Sequence, residues 1–197
     1  MSANKKSLGP QAFLYPLPAV LIGSYDAKGS PNVMTAAWVG IAASEPLSLA
    51  VSIRPMRWTH DAILQRKAFT VGIPTEAMAV ETDYVGIVSG RRADKTARAG
   101  FDMVRAEKVD APYVAQCPVI LECSLSRSLD LGSHTMMIGL IVDVKADPAS
   151  LNKDGAPDPA LFKPLLFDSA TRAYYGMGAP VGEAFSIGKK LARGDEE

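Results

Sequence analysis

Two short segments place several cationic side chains directly before a predicted helix. The first is Arg54-Pro-Met-Arg-Trp-Thr-His60, and the second is Ser89-Gly-Arg-Arg-Ala-Asp-Lys95. Guanidinium groups form paired hydrogen bonds with phosphate, and the free backbone N–H groups at the start of a helix also favour an anion. One such segment alone is usually a solvated charge cluster, but two of them in a chain of zero net charge predict a phosphate site.

The segment 47–54 alternates as a strand with two different faces, because successive side chains of a strand point to opposite sides. One face is apolar and is expected to lie in the core; its members are Leu47, Leu49, Val51 and Ile53. The other face is small and mildly polar and consists of Ser48, Ala50, Ser52 and Arg54. A flat ligand could lie on this second face with its anionic end near Arg54. The alternative is an ordinary solvent-exposed strand face.

A third segment, 32–38, combines small residues with hydrogen-bonding side chains. One predicted face carries Asn32, Met34, Ala36 and Trp38, and the other carries Val33, Thr35 and Ala37. Two adjacent alanines would let a planar ring approach the backbone closely. Asn32 and Thr35 could form hydrogen bonds with the polar edge of such a ring or with a chain attached to it. Alternatively, the larger apolar side chains of this segment belong to the core.

The composition is typical of a folded globular chain. Of the 197 residues, 48% are hydrophobic and 21% are charged, and 21 Lys and Arg balance 21 Asp and Glu. General nucleic-acid binding is disfavoured because the chain has no basic excess. A Rossmann-type or P-loop nucleotide site is disfavoured because the chain has neither a GxGxxG nor a Walker A sequence.

The sequence also gives expectations about location and metals. No apolar stretch approaches the roughly 20 residues of a membrane helix, and the N-terminal segment lacks the apolar region of a secretory signal. Two cysteines and two histidines offer no four-ligand zinc spacing. We therefore expect a cytoplasmic protein without a metal site or a membrane segment. Cys117 and Cys123 are expected to be core residues on one strand face, without a redox role.

Short segments rich in Val, Ile, Leu and Ala, separated by turn residues, predict a mainly β chain. Strands are expected at 19–25, 32–42, 47–54, 69–73, 119–131 and 134–144, and apolar segments return at 165–167 and 173–177. A tight turn is predicted at 26–29, and Gly132-Ser133 predicts a hairpin. Helices are expected at 58–67 with Thr59 as N-cap, at 76–88 and at 94–99. The helix 76–88 would have one apolar stripe, formed by Ala77, Val80, Tyr84 and Ile87. Together these elements predict one closed antiparallel barrel with helical insertions, in a single domain spanning 1–197.

In their order along the chain, these motifs resemble the flavin reductase-like FMN-binding split barrel family. The resemblance rests on the segments 32–38, 51–60, 89–91 with 94–95, 134–135 with 138–139, and 182–189. It covers residues 16–190, and within the family the sequence is most similar to flavoredoxin-type proteins. The resemblance implies a mainly β split barrel that binds FMN and forms a homodimer, with its FMN sites at or near the subunit interface.

The resemblance also implies roles for individual residues. Beside the isoalloxazine ring and the ribityl chain it places Asn32, Thr35, Ala36 and Trp38. On the following strand it places Ser52, Ile53 and Arg54. Toward the phosphate it places Arg57, Thr59, Ser89 and Lys95. His134 would be the catalytic residue near the flavin ring or the nicotinamide, although a structural role for this histidine is an equal alternative.

The activity implied by the resemblance is that of an NAD(P)H-dependent flavin reductase. Hydride would pass from the nicotinamide to FMN, and the electrons would pass on to an acceptor. The alternative is a flavoredoxin-type electron carrier, with tightly bound FMN and no direct reaction with NAD(P)H, that serves a redox partner protein or an oxygenase. A third alternative is a barrel that has lost the flavin. The sequence does not choose between NADH and NADPH.

Overall fold

Strands form most of the regular structure, as the sequence predicts. This computed structural model describes residues 4–91 and 94–192, apart from the side chain of Ala192. Its strands are β1 (Leu17–Pro18), β2 (Val20–Tyr25), β3 (Pro31–Ala36), β4 (Val39–Ser44), β5 (Leu47–Ile53), β6 (Ala68–Ile73), β7 (Met103–Arg105), β8 (Pro112–Val114), β9 (Val119–Asp130), β10 (Thr135–Ala146), β11 (Leu166–Asp168) and β12 (Ala173–Tyr175).

Seven of these strands form one antiparallel sheet in the order β3-β2-β6-β9-β10-β5-β4. Its two predicted turns are confirmed. The Asp26 carboxylate accepts the N–H groups of Lys28 and Ser30 between β2 and β3, and the N–H of Leu131 donates to the carbonyl of His134 between β9 and β10. β3 also lies against β5, so the two ends of the sheet approach each other. Two smaller sheets, β1-β11-β12 and β7-β8, complete the strand pairing.

The helices are short. They are α1 (Trp58–Arg66), α2 (Ala79–Ile87), α3 (Lys95–Arg98), α4 (Pro159–Phe162) and α5 (Lys189–Ala192), with 3₁₀ turns at Glu76–Met78 and Pro148–Ser150. The predicted start of α3 is confirmed, because the Asp94 carboxylate accepts the N–H of Ala97. In the described part of the chain, no helix is long and apolar enough to cross a membrane.

The large sheet has buried side chains on both faces. In β2, Ile22 packs in one cluster with Val51, Phe69 and Met137. Its neighbour Leu21 points to the other side and packs in a second cluster under α2. Neighbouring side chains of a strand point to opposite faces, so an uninterrupted apolar strand is expected where both faces are covered.

The predicted strand 32–42 is wrong as a single element. The chain bends after Ala36 and resumes as a strand at Val39. The cause is the topology, because β3 lies at one edge of the large sheet and β4 lies at the other. Trp38 therefore sits in a connection, where its carbonyl accepts the N–H of Ser52 at 3.0 Å.

The predicted N-cap of α1 is also wrong. Helical geometry begins at Trp58, and the N-cap residue is Arg57, which forms no side-chain capping bond. Thr59 is buried inside the first turn, where its Oγ1 accepts a hydrogen bond from Nδ2 of Asn32 at 3.2 Å. The threonine thus connects α1 to β3 instead of satisfying the start of its own helix.

The segment 76–88 differs from the single predicted helix. It begins as a 3₁₀ turn and continues as α2, so the apolar periodicity shifts between the two parts. The face that packs inward carries Thr82 and Val85, whereas Val80 is 77% exposed and Ile87 is also exposed. The predicted stripe is therefore wrong for Ala77, Val80 and Ile87, whereas Tyr84 is half-buried and packs against the cluster under α2.

The predicted core face of β5 is confirmed for Leu49, Val51 and Ile53 but not for Leu47, which is 57% exposed. Leu47 lies at the start of the strand, beyond the bulge in its pairing with β4. On the opposite face, Ser48 is buried and its hydroxyl donates to the carbonyl of Pro46.

Both cysteines are buried free thiols, as predicted. They do not share a strand face, however, because Cys117 precedes β9 and packs in the cluster under α2, while Cys123 lies in the larger cluster. Burial raises the pKa of each thiol to about 12. Neither therefore supplies a thiolate at neutral pH, which agrees with the expected absence of a redox role.

Candidate functional site

A groove runs from the connection between β3 and β4 to the start of α1. It consists of two cavities of about 670 and 530 Å³, which share Met34, Arg54, Arg57 and Gly86 along their common border. Each cavity has the size of a small-molecule site, for which volumes of about 300–1,000 Å³ are usual. We call them the first and the second cavity.

One wall of the first cavity combines small side chains with the larger Trp38 and Ile53. It carries Ala36 from the end of β3, Ala37 and Trp38 from the connection after it, and Ser52 and Ile53 from β5. The bond from the Ser52 N–H to the Trp38 carbonyl fixes these two segments to each other. The small residues predicted to form a ligand-binding face thus border a cavity, although the strand ends at Ala36 and the chain bends at Trp38.

His134 lies at the end of this wall, beside the indole of Trp38. Their ring centroids are 4.6 Å apart and their planes are inclined by 34°. The pairing of Thr135 with Ile53 brings His134 close to Arg54. Burial and the neighbouring Arg54 guanidinium lower the pKa of His134 below its usual value, so its ring is neutral at pH 7.

A second histidine supports this wall from behind. His60 is buried in α1, and its Nε2 lies 2.9 Å from Oγ1 of Thr135, directly after His134. Its Nδ1 lies 2.8 Å from Oδ1 of Asp61. Both ring nitrogens are therefore held, and this fixes the start of β10 against α1.

The opposite wall of the first cavity was not anticipated from the sequence. It is formed by Asp83 and Ile87 of α2 and by residues of the β11–β12 hairpin, namely Phe167, Ser169, Arg172 and Tyr174. The Tyr174 hydroxyl donates to Oδ1 of Asp83 at 3.0 Å and ties the hairpin to α2. Burial and the Asp83 carboxylate raise the pKa of Tyr174 to about 12, so the phenol keeps its proton. The hairpin residues carry no local motif, and contacts distant in sequence, among them the pairing of β11 with β1, bring them to the groove.

The second cavity is strongly cationic. Four cations line it: Arg54, Arg57, Arg91 and Lys95. Among the residues that the structure describes, no Asp or Glu lines this cavity. Hydroxyl and amide groups of Asn32, Thr59 and Ser89 complete the polar lining. Such a set of donors without a carboxylate favours a phosphate or another anion.

Lys95 is the buried cation of this cavity. Its Nζ donates to the carbonyls of Val85 at 2.7 Å and Val88 at 3.0 Å, where α2 ends. The negative end of the helix dipole therefore faces the ammonium group. Burial and the neighbouring Arg57 guanidinium lower the pKa of Lys95 to about 8.

Asn32 and Gly90 determine how closely the loop after α2 approaches the sheet. A Cβ on residue 90 would overlap Oδ1 of Asn32, so this close packing requires glycine. Thr35 is also occupied by the protein, because its hydroxyl donates to the carbonyl of Thr82. These contacts hold α2 and the following loop against β3.

All twelve site residues predicted from the sequence line this groove. The first cavity contains Thr35, Ala36, Trp38, Ser52, Ile53 and His134, and the second contains Asn32, Thr59, Ser89 and Lys95; Arg54 and Arg57 line both. Arg92 and Ala93 of the second cationic segment lie outside the described residues. Within the described residues, no group of three or more His, Cys, Asp or Glu side chains could hold a metal ion.

Comparison with known proteins finds one matching family and several similar structures. The sequence model of the flavin reductase like domain matches residues 12–175, which is most of the chain. The chain belongs to the flavin reductase-like family. The family match includes both walls of the first cavity and all the residues of the second.

Two solved flavoredoxins are similar to this family member over nearly their whole length. The flavoredoxin of Desulfovibrio vulgaris (Miyazaki F) is 44% identical, covers 93% of this chain and 99% of its own, and has a TM-score of 0.89. The flavoredoxin from Methanosarcina acetivorans is 29% identical, with coverage of 96% and 100% and a TM-score of 0.89.

A putative flavin reductase with a split barrel domain from Shewanella frigidimarina has the same fold. It is 20% identical, covers 86% of each chain and has a TM-score of 0.78. At this identity the likeness concerns the fold alone. It confirms the mainly β split barrel expected from the sequence.

Proposed function

We propose that this chain binds FMN in the groove and acts as an NAD(P)H-dependent flavin reductase. The observation that carries the proposal is the continuity of the two cavities. A wall with small side chains passes directly into a cationic cavity with no carboxylate in its described lining. FMN has the matching order of parts, since a planar ring system is joined through a polar chain to a phosphate.

The donors of the second cavity fit the phosphate of FMN. Arg57 and Arg54 offer guanidinium groups at the border of the cavities, and Lys95 offers a held ammonium group. Thr59 and Ser89 add hydroxyl groups. A phosphate can accept from several charged and neutral donors at once, which makes this set more selective than a single cation.

The first cavity fits the ring system and the ribityl chain. Ala36 lets the ring approach the backbone, and Ser52 and Ile53 form the adjoining surface. Trp38 closes the end of the wall. Asn32 lines the second cavity, where its amide donates to Thr59, and Thr35 anchors α2 beside the ring.

When bound, FMN supplies the hydride and electron chemistry, and the chain supplies binding, orientation and exclusion of water. The neutral ring of His134 lies beside Trp38, with the two planes inclined by 34°, and offers an uncharged surface against which a nicotinamide could lie. The Tyr174–Asp83 bond holds the hairpin along the other wall. The consumption of NADH or NADPH would place the reaction in the cytoplasm.

A spectroscopic titration tests this function. The purified protein, loaded with FMN if necessary, is mixed anaerobically with NADH or NADPH in a stopped-flow instrument. The flavin absorption bands at about 370 and 450 nm should bleach rapidly with NADH, NADPH or both. Absence of flavin binding would overturn the whole proposal, and persistence of the bands with both donors would overturn the reductase activity.

The second candidate function is that of an electron carrier with permanently bound FMN. It is favoured by the 44% identity with a protein named flavoredoxin. In that case the bands would bleach with dithionite but not with either nicotinamide donor. Electrons would then be exchanged with a redox partner protein or an oxygenase.

Lys95 gives the proposed phosphate site a specific dependence on pH. Its ammonium form, which attracts phosphate, is present below its pKa of about 8 and is lost as the pH rises through that value. FMN affinity should therefore be highest below pH 8 and fall above it, since the arginines stay charged throughout. Dissociation constants measured from pH 7 to 10 should show this fall.

Two variants make this prediction specific. Lys95→Met should bind FMN more weakly below pH 8 and should no longer show the fall. Lys153→Met, on the exposed loop after β10, should behave like the unchanged chain. An FMN affinity that is constant across this range in the unchanged chain would contradict the role of Lys95.

We also propose a homodimer formed through the edge strand β4. This strand is exposed along most of its length and carries Ile41 on the surface, next to exposed Phe13 and Leu14. A cavity of about 480 Å³ in this patch shares Trp38 and Ser52 with the first cavity of the groove. A second copy seated here would therefore cover the side of the proposed ring site.

Ile41→Glu should convert this dimer to a monomer, because a carboxylate would be buried without a partner. Light scattering should give the mass of two chains for the unchanged protein and of one chain for the variant, and FMN binding should weaken in the variant. Leu161→Glu, at an exposed position of α4, serves as the matched control. A mass of one chain for the unchanged protein would refute the dimer.

A further inference from the structure

The β11–β12 hairpin carries an arginine that none of the roles proposed above uses. Arg172 is exposed and lines the first cavity together with Ser169 and Tyr174 of the same hairpin. Across the described side chains of residues 4–91 and 94–191, no Asp or Glu forms an ion pair with its guanidinium group. The Asp83 carboxylate, which lines the same cavity, accepts the Tyr174 hydroxyl instead. The guanidinium group can therefore contact an anionic ligand.

The backbone at Arg172 has a conformation that does not favour arginine. Its φ of 57° lies in the left-handed region, where a Cβ is crowded and glycine or asparagine is the usual residue. This conformation ends the turn of the hairpin, in which Ala173 pairs with Asp168. Glycine would close such a turn more easily, so the turn itself does not explain the arginine. An unfavourable backbone conformation beside a ligand cavity is typical of a functional position.

Contacts within and outside the turn hold the hairpin around Arg172. The Asp168 carboxylate accepts the Thr171 hydroxyl at 2.6 Å inside the turn. The Ser169 hydroxyl donates to the carbonyl of Ala12 at 3.0 Å, and the bond to α2 described above holds the second strand. The position from which the arginine side chain extends is therefore fixed before a ligand binds, which lowers the entropic cost of binding.

Arg172 is separated from the proposed phosphate site of FMN. Arg54 and Arg57 line both cavities, whereas Arg172 lines the first cavity and is absent from the lining of the second. The phosphate of the proposed FMN lies in the second cavity and has its own cations there. Arg172 therefore faces a second ligand, the one whose nicotinamide would lie over the flavin ring.

We propose that Arg172 binds the diphosphate of the nicotinamide donor, an inference that rests on the proposed function. In NADH and NADPH a single ribose separates the nicotinamide ring from the diphosphate, and a guanidinium group can form paired hydrogen bonds with it. The additional phosphate of NADPH lies on the adenosine side, beyond a diphosphate held in this cavity. Arg172 thus recognises a part that both donors share, and the chain is expected to bind NADH and NADPH with similar affinity.

Calorimetric titration of the FMN-loaded full chain with NAD⁺ and NADP⁺ tests the inference without a reaction. Arg172→Gln removes the charge and should raise both dissociation constants about tenfold or more, the loss expected for hydrogen bonds to a charged group. Arg172→Lys keeps the charge without the paired donors and should give intermediate constants. Arg127→Gln, at an exposed position of β9, is the matched control and should change neither constant.

A variant with glycine separates the side chain from the turn. Glycine adopts the left-handed conformation readily, so Arg172→Gly should have a urea midpoint equal to or above that of the unchanged chain. Its affinity for NAD⁺ and NADP⁺ should nevertheless fall as in Arg172→Gln. Unchanged affinities in Arg172→Gly would overturn the inference.

Stopped-flow bleaching with donors that differ in their phosphates gives a second readout. With NADH, NADPH or reduced nicotinamide mononucleotide, Arg172→Gln should need about tenfold more donor to reach its half-maximal rate. With N-benzyl-dihydronicotinamide, which carries no phosphate, the bleaching rate should change less than about twofold. The FMN dissociation constant should stay the same.

The outcomes separate this inference from the proposed function. Normal bleaching of Arg172→Gln by both dinucleotides would overturn the inference alone. A loss confined to NADPH would place the contact at its additional phosphate, and an equal loss with the phosphate-free donor would assign Arg172 a structural role; either would also overturn it. An unchanged chain that bleaches with dithionite but with neither NADH nor NADPH would overturn the reductase function and the inference together.

Discussion

Replacing Arg54 by alanine is expected to weaken FMN binding by about 1.5–3 kcal/mol, the usual value of a hydrogen bond to a charged group. This corresponds to a loss of roughly 10- to 150-fold in affinity. Arg54 lines both cavities and follows directly on the strand that forms part of the ring wall. The proposed FMN would therefore pass it at the point where the ring end meets the phosphate end.

Comparison of two ligands shows whether Arg54 acts on the phosphate. Riboflavin has the ring and the ribityl chain but no phosphate, so Arg54→Ala should affect its binding much less than that of FMN. Arg127→Ala, at an exposed position of β9, is the matched control. An FMN dissociation constant unchanged by Arg54→Ala would remove this residue from the proposed site.

The substitution Gly23→Ala is expected to destabilise the folded chain by about 3 kcal/mol, near the upper end for overpacking in a core. Gly23 lies in the centre of β2, where a Cβ would overlap the backbone carbonyl of Pro112 and approach Oγ1 of Thr70 to 2.5 Å. The Thr70 hydroxyl donates to that same carbonyl at 2.6 Å. The added methyl would push the start of β8 away and break a buried hydrogen bond.

Urea unfolding curves measure this effect. Gly178→Ala, in the exposed segment after β12, is the control because its Cβ would meet no atom within 4 Å. The midpoint for Gly23→Ala should fall well below that of the control. Equal urea midpoints for the two variants would show that the chain at Pro112 shifts to accept the methyl group without a loss of stability.

The sequence predicted well those features that depend on neighbouring residues. The Asp26 turn, the hairpin before His134 and the start of the short helix near residue 94 are local, since each is closed within a few residues by the side chains or backbone groups that favour it. The types of the site residues were also readable, because cations and small side chains keep their chemistry in any fold. The resemblance to the family then supplied the expectation that two distant segments meet.

Features decided by tertiary contacts were less predictable. Thr59 has the right side chain for an N-cap, but its hydroxyl is taken by Asn32 from another element. Val80 and Ile87 look like core residues, but α2 packs its opposite face, which carries Thr82 and Val85, against the sheet. The wall carrying Tyr174 was missed because it reaches the groove through contacts distant in sequence, namely the pairing of β11 with β1 and the bond from Tyr174 to Asp83.

The bend at Trp38 has a consequence for how long the protein would last in a cell. It joins strands at opposite edges of the large sheet, and edge strands generally open before the centre does. A ligand bound against this bend favours the closed form according to its concentration and affinity. Since proteases cut transiently opened chains, the loaded protein would survive longer than the empty one. The supply of flavin would thereby help to set the amount of protein.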